Sequence, residues 1–274
     1  MTPEVFSPGM ISRGEHEHRL AVSPDGNEIY YSGTSAPGGK LQILYTQLKN
    51  GSWTAPAVAS FSDKGLNLHP AFSPEGKRLF FVSTRPSAEP GGPKKRADLW
   101  YVERQGSAWS VPVDMGDAVN TENNESSPSV MADGTLFFDR IVESNKSETG
   151  IYLSRFKDGV YQKAERLPSP INTENENLGP FIAPDGRYLL FNSDRPGTVG
   201  EADIYVAFKD KDDGWQEPVN LGNKVNSKQY DWAPMVTPDG AYLVFSSYRN
   251  SEPAVPDMGK GTLYWVKAKA INFK

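Results

Sequence analysis

Five residues able to offer oxygen or amide groups recur at matched intervals: Glu17, Asn67, Glu125, Asn177 and Asp231, spaced 50, 58, 52 and 54 residues apart. Gathered in a ring, such groups suit several chemistries. Oxygen donors hold a hard cation such as Ca²⁺, the same groups hydrogen-bond sugar hydroxyls, and a carboxylate pair performs the acid and base steps of glycoside cleavage. The plainer role for Asx and Glu side chains is to satisfy loop amides. Glu17, Glu125 and Asp231 are therefore candidate acids and bases, with His69 as an alternative base. No Gly-x-Ser-x-Gly elbow, phosphate loop or dinucleotide motif accompanies them, so no catalytic role is assigned and no cofactor is expected beyond Ca²⁺ at the ring.

All three histidines fall near the first two of these positions, in Glu15-His16-Glu17-His18-Arg19 and at His69, which aligns with Arg19. His16 and His18 alternate onto one side of an extended segment, a spacing that would allow a shared metal. Arginine recurs as Arg85, Arg195 and Arg249. Asp98 and Asp203 follow the first two and are expected to pair with them, since a planar guanidinium suits a carboxylate. Thr262 stands where the third acid would be, which leaves Arg249 available for an anionic ligand. Tyr230, Trp232 and Tyr248 cluster near it in sequence, and flat amphipathic rings stack on sugars. The expected ligand-binding set is Glu17, His18, Arg19, Asn67, His69, Glu125, Asn177, Tyr230, Asp231, Trp232, Tyr248 and Arg249.

The elements that position these residues are written five times. Ser23-Pro-Asp-Gly26 returns as Ser73-Pro-Glu-Gly76, Met131-Ala-Asp-Gly134, Ala183-Pro-Asp-Gly186 and Thr237-Pro-Asp-Gly240. Proline presets φ for a tight turn and the closing glycine accepts positive φ, so each copy predicts a hairpin of strands a and b. Strand b is an apolar run such as Arg78-Leu-Phe-Phe81 or Tyr188-Leu-Leu-Phe191, suited to burial on both faces. Strand c carries an aromatic near its third position, as in Asp98-Leu-Trp-Tyr101 and Asp203-Ile-Tyr-Val206. Trp53, Trp109, Tyr161 and Trp215 are read as opening strand d.

A four-stranded antiparallel unit repeated at this period is a propeller blade. The expectation is an all-β, five-bladed β-propeller formed by one domain over residues 1–274. The N-terminal segment 3–12 would supply strand d of blade five, removing open sheet edges. The d–a and b–c loops then share one face, including the long b–c segments from Pro86 to Ala97 and from Asn250 to Gly261. The a–b turns lie on the other face, which is expected to be plain.

The succession Ala183-Pro-Asp-Gly186, Ser193-Asp-Arg-Pro196 and Asp203-Ile-Tyr-Val206 resembles the WD-like β-propeller repeat of the Pro-Asp-Gly type, best known from TolB. The resemblance covers nearly the whole chain. It implies a periplasmic or surface binding and scaffold module, although similar blades also occur in polysaccharide lyases and beside peptidase domains. The chain departs from TolB-like propellers, which usually have six blades, and no separate adaptor domain before the ring is expected from these residues.

Composition narrows the partners. With 29 Lys and Arg against 34 Asp and Glu, the net charge is −5, and no basic footprint for nucleic acid exists. The chain has no cysteine, which removes disulfides, thiolate zinc sites and cysteine nucleophiles. No apolar run is long enough for a membrane span, and no signal peptide is evident. These readings lead to a monomeric periplasmic or extracellular propeller that binds a carbohydrate or protein through its d–a and b–c face. The alternative is a glycoside hydrolase or polysaccharide lyase using the ring carboxylates.

Overall fold

The computed structural model describes residues 2–14, 16–86, 96–250 and 261–270. Most of both long b–c segments lies outside the described residues. Five antiparallel sheets are arranged as blades, each with strand a inward and strand d outward. Blade one contains His18–Val22, Glu28–Thr34, Leu41–Lys49 and Ala57–Val58; blade two contains Asn67–Phe72, Arg78–Ser83, Asp98–Gln105 and Val113–Asp114. Blade three is Asn124–Val130, Leu136–Ile141, Gly150–Ser154 and Glu165–Arg166, and blade four is Asn177–Ile182, Tyr188–Ser193, Asp203–Phe208 and Val219–Asn220.

Blade five joins Asp231–Val236, Tyr242–Ser247 and Thr262–Lys267 to Glu4–Val5 from the other end of the chain. Val5 pairs with Tyr264, and Phe6 N–H donates to Leu263 O at 2.8 Å. The closing strand is shorter than the 3–12 segment expected. Beyond it the chain bridges to itself at Pro8 and Ser12, and Ile11 turns fully into the core with Leu20 and Tyr31.

The outer aromatics do not open strand d. Trp53, Trp109 and Tyr161 sit in small hairpins that prolong strand c or follow it, and Trp215 makes one bridge to Lys209. The strand d pairing begins a few residues later. Strand c overshoots the blade before turning back, so the aromatic packs on that overhang. Trp109 Nε1–H, for example, donates to Tyr30 Oη of the neighbouring blade at 2.9 Å.

The core lies between blades. Tyr31, Phe81, Phe138, Phe191 and Phe245, at one position of strand b, are fully buried. Each such ring contributes roughly 1.5–3 kcal/mol through burial. In blades two to four, Asn120, Asn172 and Asn226 pair with both backbone groups of a strand c residue, Leu99, Ile151 and Ile204. A side-chain amide thereby imitates a further strand residue and fixes the loop leading to the next blade.

Candidate functional site

Strand a is bulged in all five blades, with the register shifting after His18, Leu68, Ser126, Leu178 and Trp232. The bulge holds one residue per blade at positive φ: Arg19 (47°), His69 (54°), Ser127 (53°), Gly179 (64°) and Ala233 (49°). Only glycine adopts this region without cost. Three of the turned amides are caught by strand b of the preceding blade. His69 N–H donates to Ser32 Oγ at 2.9 Å, Gly179 N–H to Asp139 Oδ2 at 2.8 Å and Arg19 N–H to Ser246 Oγ at 3.2 Å. The bulge therefore aims the channel-mouth side chains and also latches neighbouring blades.

The five ring residues lie beside these bulges, fully buried, and are occupied within their blades. Glu125 accepts from Thr121 N–H and Oγ1–H and from Arg140 Nε–H at 2.7 Å. Asp231 accepts from Ser227 N–H and Oγ–H and from Arg249 Nη2–H at 2.7 Å. Asn67 and Asn177 donate to loop carbonyls and accept from Arg85 at 2.8 Å and Arg195 at 2.6 Å. Glu17 lies 3.7 Å from Arg13. Glu125 and Asp231, candidates for glycoside acid and base, thus spend their oxygens on capping and ion pairing.

The arginines depart from expectation. Arg85 and Arg195 do not pair with Asp98 and Asp203, because the register sets those acids opposite Ser83 and Ser193, two residues earlier. Each guanidinium instead folds back over its blade. It donates to the serine, to the ring amide and to a d–a loop carbonyl, Phe61 O or Ile171 O. Asp203 accepts from Val199 and Gly200 N–H and from Asn220.

Arg249 is likewise not free for an anion. It repeats the arrangement with Ser247, Asp231 and Val225 O, and its guanidinium carbon lies 5.0 Å from the Phe245 ring and 4.7 Å from the Tyr264 ring. The strand c aromatic thus serves as one wall for an arginine. Arg140 takes this part in blade three, reached from strand b rather than from the loop.

What remains toward the mouth comes from three blades. The His18 ring is 5.4 Å from His69 and 5.0 Å from Trp232, and His69 is 6.0 Å from Trp232. Tyr248 lies 6.4 Å from both Trp232 and Tyr230. All five are half-buried. His18 Nδ1–H donates to His16 O at 3.0 Å, so Nε2 is its accepting nitrogen; His69 Nδ1 meets Ser126 Oγ at 2.8 Å. Burial lowers His18 to about 4 and holds His69 well below 6.5, so both imidazoles are neutral at pH 7. Among the described residues no three His, Asp or Glu side chains converge as a metal would need.

The sequence reading missed Glu176. Tyr230 Oη–H donates to its Oε1 in a short hydrogen bond, and Asn192 Nδ2–H donates to the tyrosine oxygen at 3.1 Å. Burial raises the Glu176 pKa. It directly precedes Asn177 in the repeat register, the only signal by which it could have been found.

Comparison with known proteins adds fold alone. No protein-family model matches the chain, and no curated protein does. Among solved structures, it is similar to a putative TolB from Agrobacterium tumefaciens at 20% identity and a TM-score of 0.53, covering 86% of this chain and 72% of that one. It covers 54% of TolB from Acinetobacter baumannii. It is also similar to the α-L-arabinofuranosidase of Podospora anserina, solved with cellotriose, at 11% identity and a TM-score of 0.59, covering 97% and 93%. A structure described as a glycoside hydrolase gives 11% and 0.62, covering 97% and 90%. The neighbours thus include both TolB and glycoside hydrolase propellers, and no helix among the described residues is long and apolar enough to cross a membrane.

Arg19 does not join the cup. It is buried, and its side chain crosses the channel: Nη2–H donates to Pro128 O of blade three at 3.1 Å and to Pro180 O of blade four at 2.9 Å. Past it, a cavity of about 450 Å³ opens among the a–b turns, on the face expected to be plain.

Proposed function

We propose that this chain is an exported, periplasmic or extracellular binding module that takes a carbohydrate at the channel mouth on its d–a and b–c face. The observation carrying this reading is the His18, His69 and Trp232 cup. Two neutral imidazoles and an indole from three blades offer stacking and hydrogen bonding to an uncharged, hydroxyl-rich ligand. The engagement of Glu125 and Asp231 within their own blades favours binding over cleavage.

Titration calorimetry with cellotriose and arabino-oligosaccharides tests the proposal. Saturable binding that weakens at least tenfold in Trp232→Ala supports it. Failure of both sugars, with a protein partner retained on the immobilised chain and released by Trp232→Ala, replaces the carbohydrate with a protein ligand.

One observation favours a second reading, a glycoside hydrolase. Glu176 is a half-buried carboxyl with raised pKa near the cup, as a proton donor to a leaving oxygen must be. Release of reducing sugar by the wild type and its loss in Glu176→Gln, with binding retained, would establish it.

A further inference from the structure

The channel is two compartments separated by one side chain. On the a–b side of Arg19 the cavity is walled by Leu20, Ala71, Val130, Phe181 and Met235, and its volume of about 450 Å³ is within the range of small-molecule sites. Strand a contributes Pro70, Pro128, Pro180 and Pro234 directly after the bulge in blades two to five. Proline has no N–H, so these inner edges present carbonyls without matching donors. Blade one has Leu20 there and supplies the guanidinium that answers two of them.

Two neutral carbonyls answer the guanidinium of Arg19 with dipoles but no charge. Its Nη1 is buried with no hydrogen-bond partner, and among the described residues no carboxylate is hydrogen-bonded to the guanidinium. Asp139 attracts it only through space, and that carboxyl is itself pushed toward its neutral form by burial. A buried cation with an unused donor is costly, and an anion beside it removes that cost. Of the charged residues that line the cavity besides Arg19, Asp185 and Arg187 pair with each other.

We infer that this cavity binds an organic anion with an apolar body, of the size of a medium-chain carboxylate, with its head against Arg19 and its body along Leu20, Val130, Phe181 and Met235. The site is separate from the proposed sugar site and does not depend on it.

Titration calorimetry with decanoate, kept below its micelle concentration, provides the test, with decanol and acetate as the neutral and headgroup-only probes. Decanoate is expected to bind saturably at one site, with decanol and acetate at least tenfold weaker. Arg19→Gln removes the charge, and Ala71→Phe fills the cavity while leaving Arg19 in place; both are expected to weaken decanoate at least tenfold. Because Arg19 ties three blades, Ala71→Phe and decanol decide the matter should Arg19→Gln not fold. No saturable decanoate binding, equal binding of decanol, or an unchanged affinity in Ala71→Phe overturns the inference.

Discussion

Arg249 and Asp231 meet at 2.7 Å with the Asp231 carboxylate fully buried and the guanidinium beside the Phe245 and Tyr264 rings. Breaking a buried pair on one side leaves the other charge stranded, at a cost of about 3–5 kcal/mol. Blades two and four show that an amide can do the same work, with Asn67 and Asn177 receiving Arg85 and Arg195. In urea denaturation Asp231→Ala is expected to lose about 3 kcal/mol, and Asp231→Asn no more than about 1 kcal/mol. Equal losses of about 3 kcal/mol would show that an amide cannot replace the carboxylate here.

Acid should weaken the fold through its half-buried histidines. His18 has a folded pKa of about 4 against an ordinary 6.5, so the unfolded chain takes up the proton first as pH falls. Its contribution is complete above 6.5 and is lost between 6.5 and 4, with His69 acting in the same direction. Raised carboxyls oppose this: Glu125, Asp139 and Glu176 favour the folded state when protonated, and their contribution falls as pH rises through their folded values. Comparing wild type with His18→Gln isolates the imidazole. From pH 7 to 5 the wild type should lose about 1–2 kcal/mol more than the variant.

Gly179 is the bulge residue of blade four. A Cβ there would strike Asn192 Oδ1, and φ is +64°. The conformation alone costs an alanine about 1–2 kcal/mol, and the amide of Asn192, which holds Tyr230, would have to give way. Gly179→Ala should therefore lower the thermal midpoint and weaken any ligand at the cup. A variant matching wild type in both would show that the bulge is adjustable.

Closure of the ring rests on a short pairing backed by Ile11. Replacing this fully buried side chain with alanine should cost about 2–5 kcal/mol. Removing residues 2–12 uncovers the strand c edge of blade five at Tyr264 and Trp265, and light scattering should report self-association.

The architecture was legible because the Pro-Asp-Gly turns state their conformation locally: Gly26, Gly76, Gly134, Gly186 and Gly240 all have positive φ. The ring of Glu17, Asn67, Glu125, Asn177 and Asp231 was also legible as positions. Its role was less so, since the partners are separated in sequence by a whole hairpin. Arg249 was misread because the acid opening strand c looks adjacent in the repeat, whereas the register places it two residues away from the arginine. A better signal was present: Thr121, Thr173 and Ser227 each stand four residues before the capped side chain, Thr121 and Ser227 donating to it and Thr173 accepting from it. The bulge at Arg19 left no local mark, because an arginine gives no warning of a left-handed backbone.

Arg19 joins the first blade to the third and fourth, which it does not neighbour. In an array whose repeats touch only adjacent repeats, stability is a sum of local terms and the units can fray one by one. A spoke across the wheel couples blades that are apart in the circle, so loosening one slackens its opposite. The ring should then melt as a single cooperative unit, with its calorimetric and van't Hoff enthalpies equal.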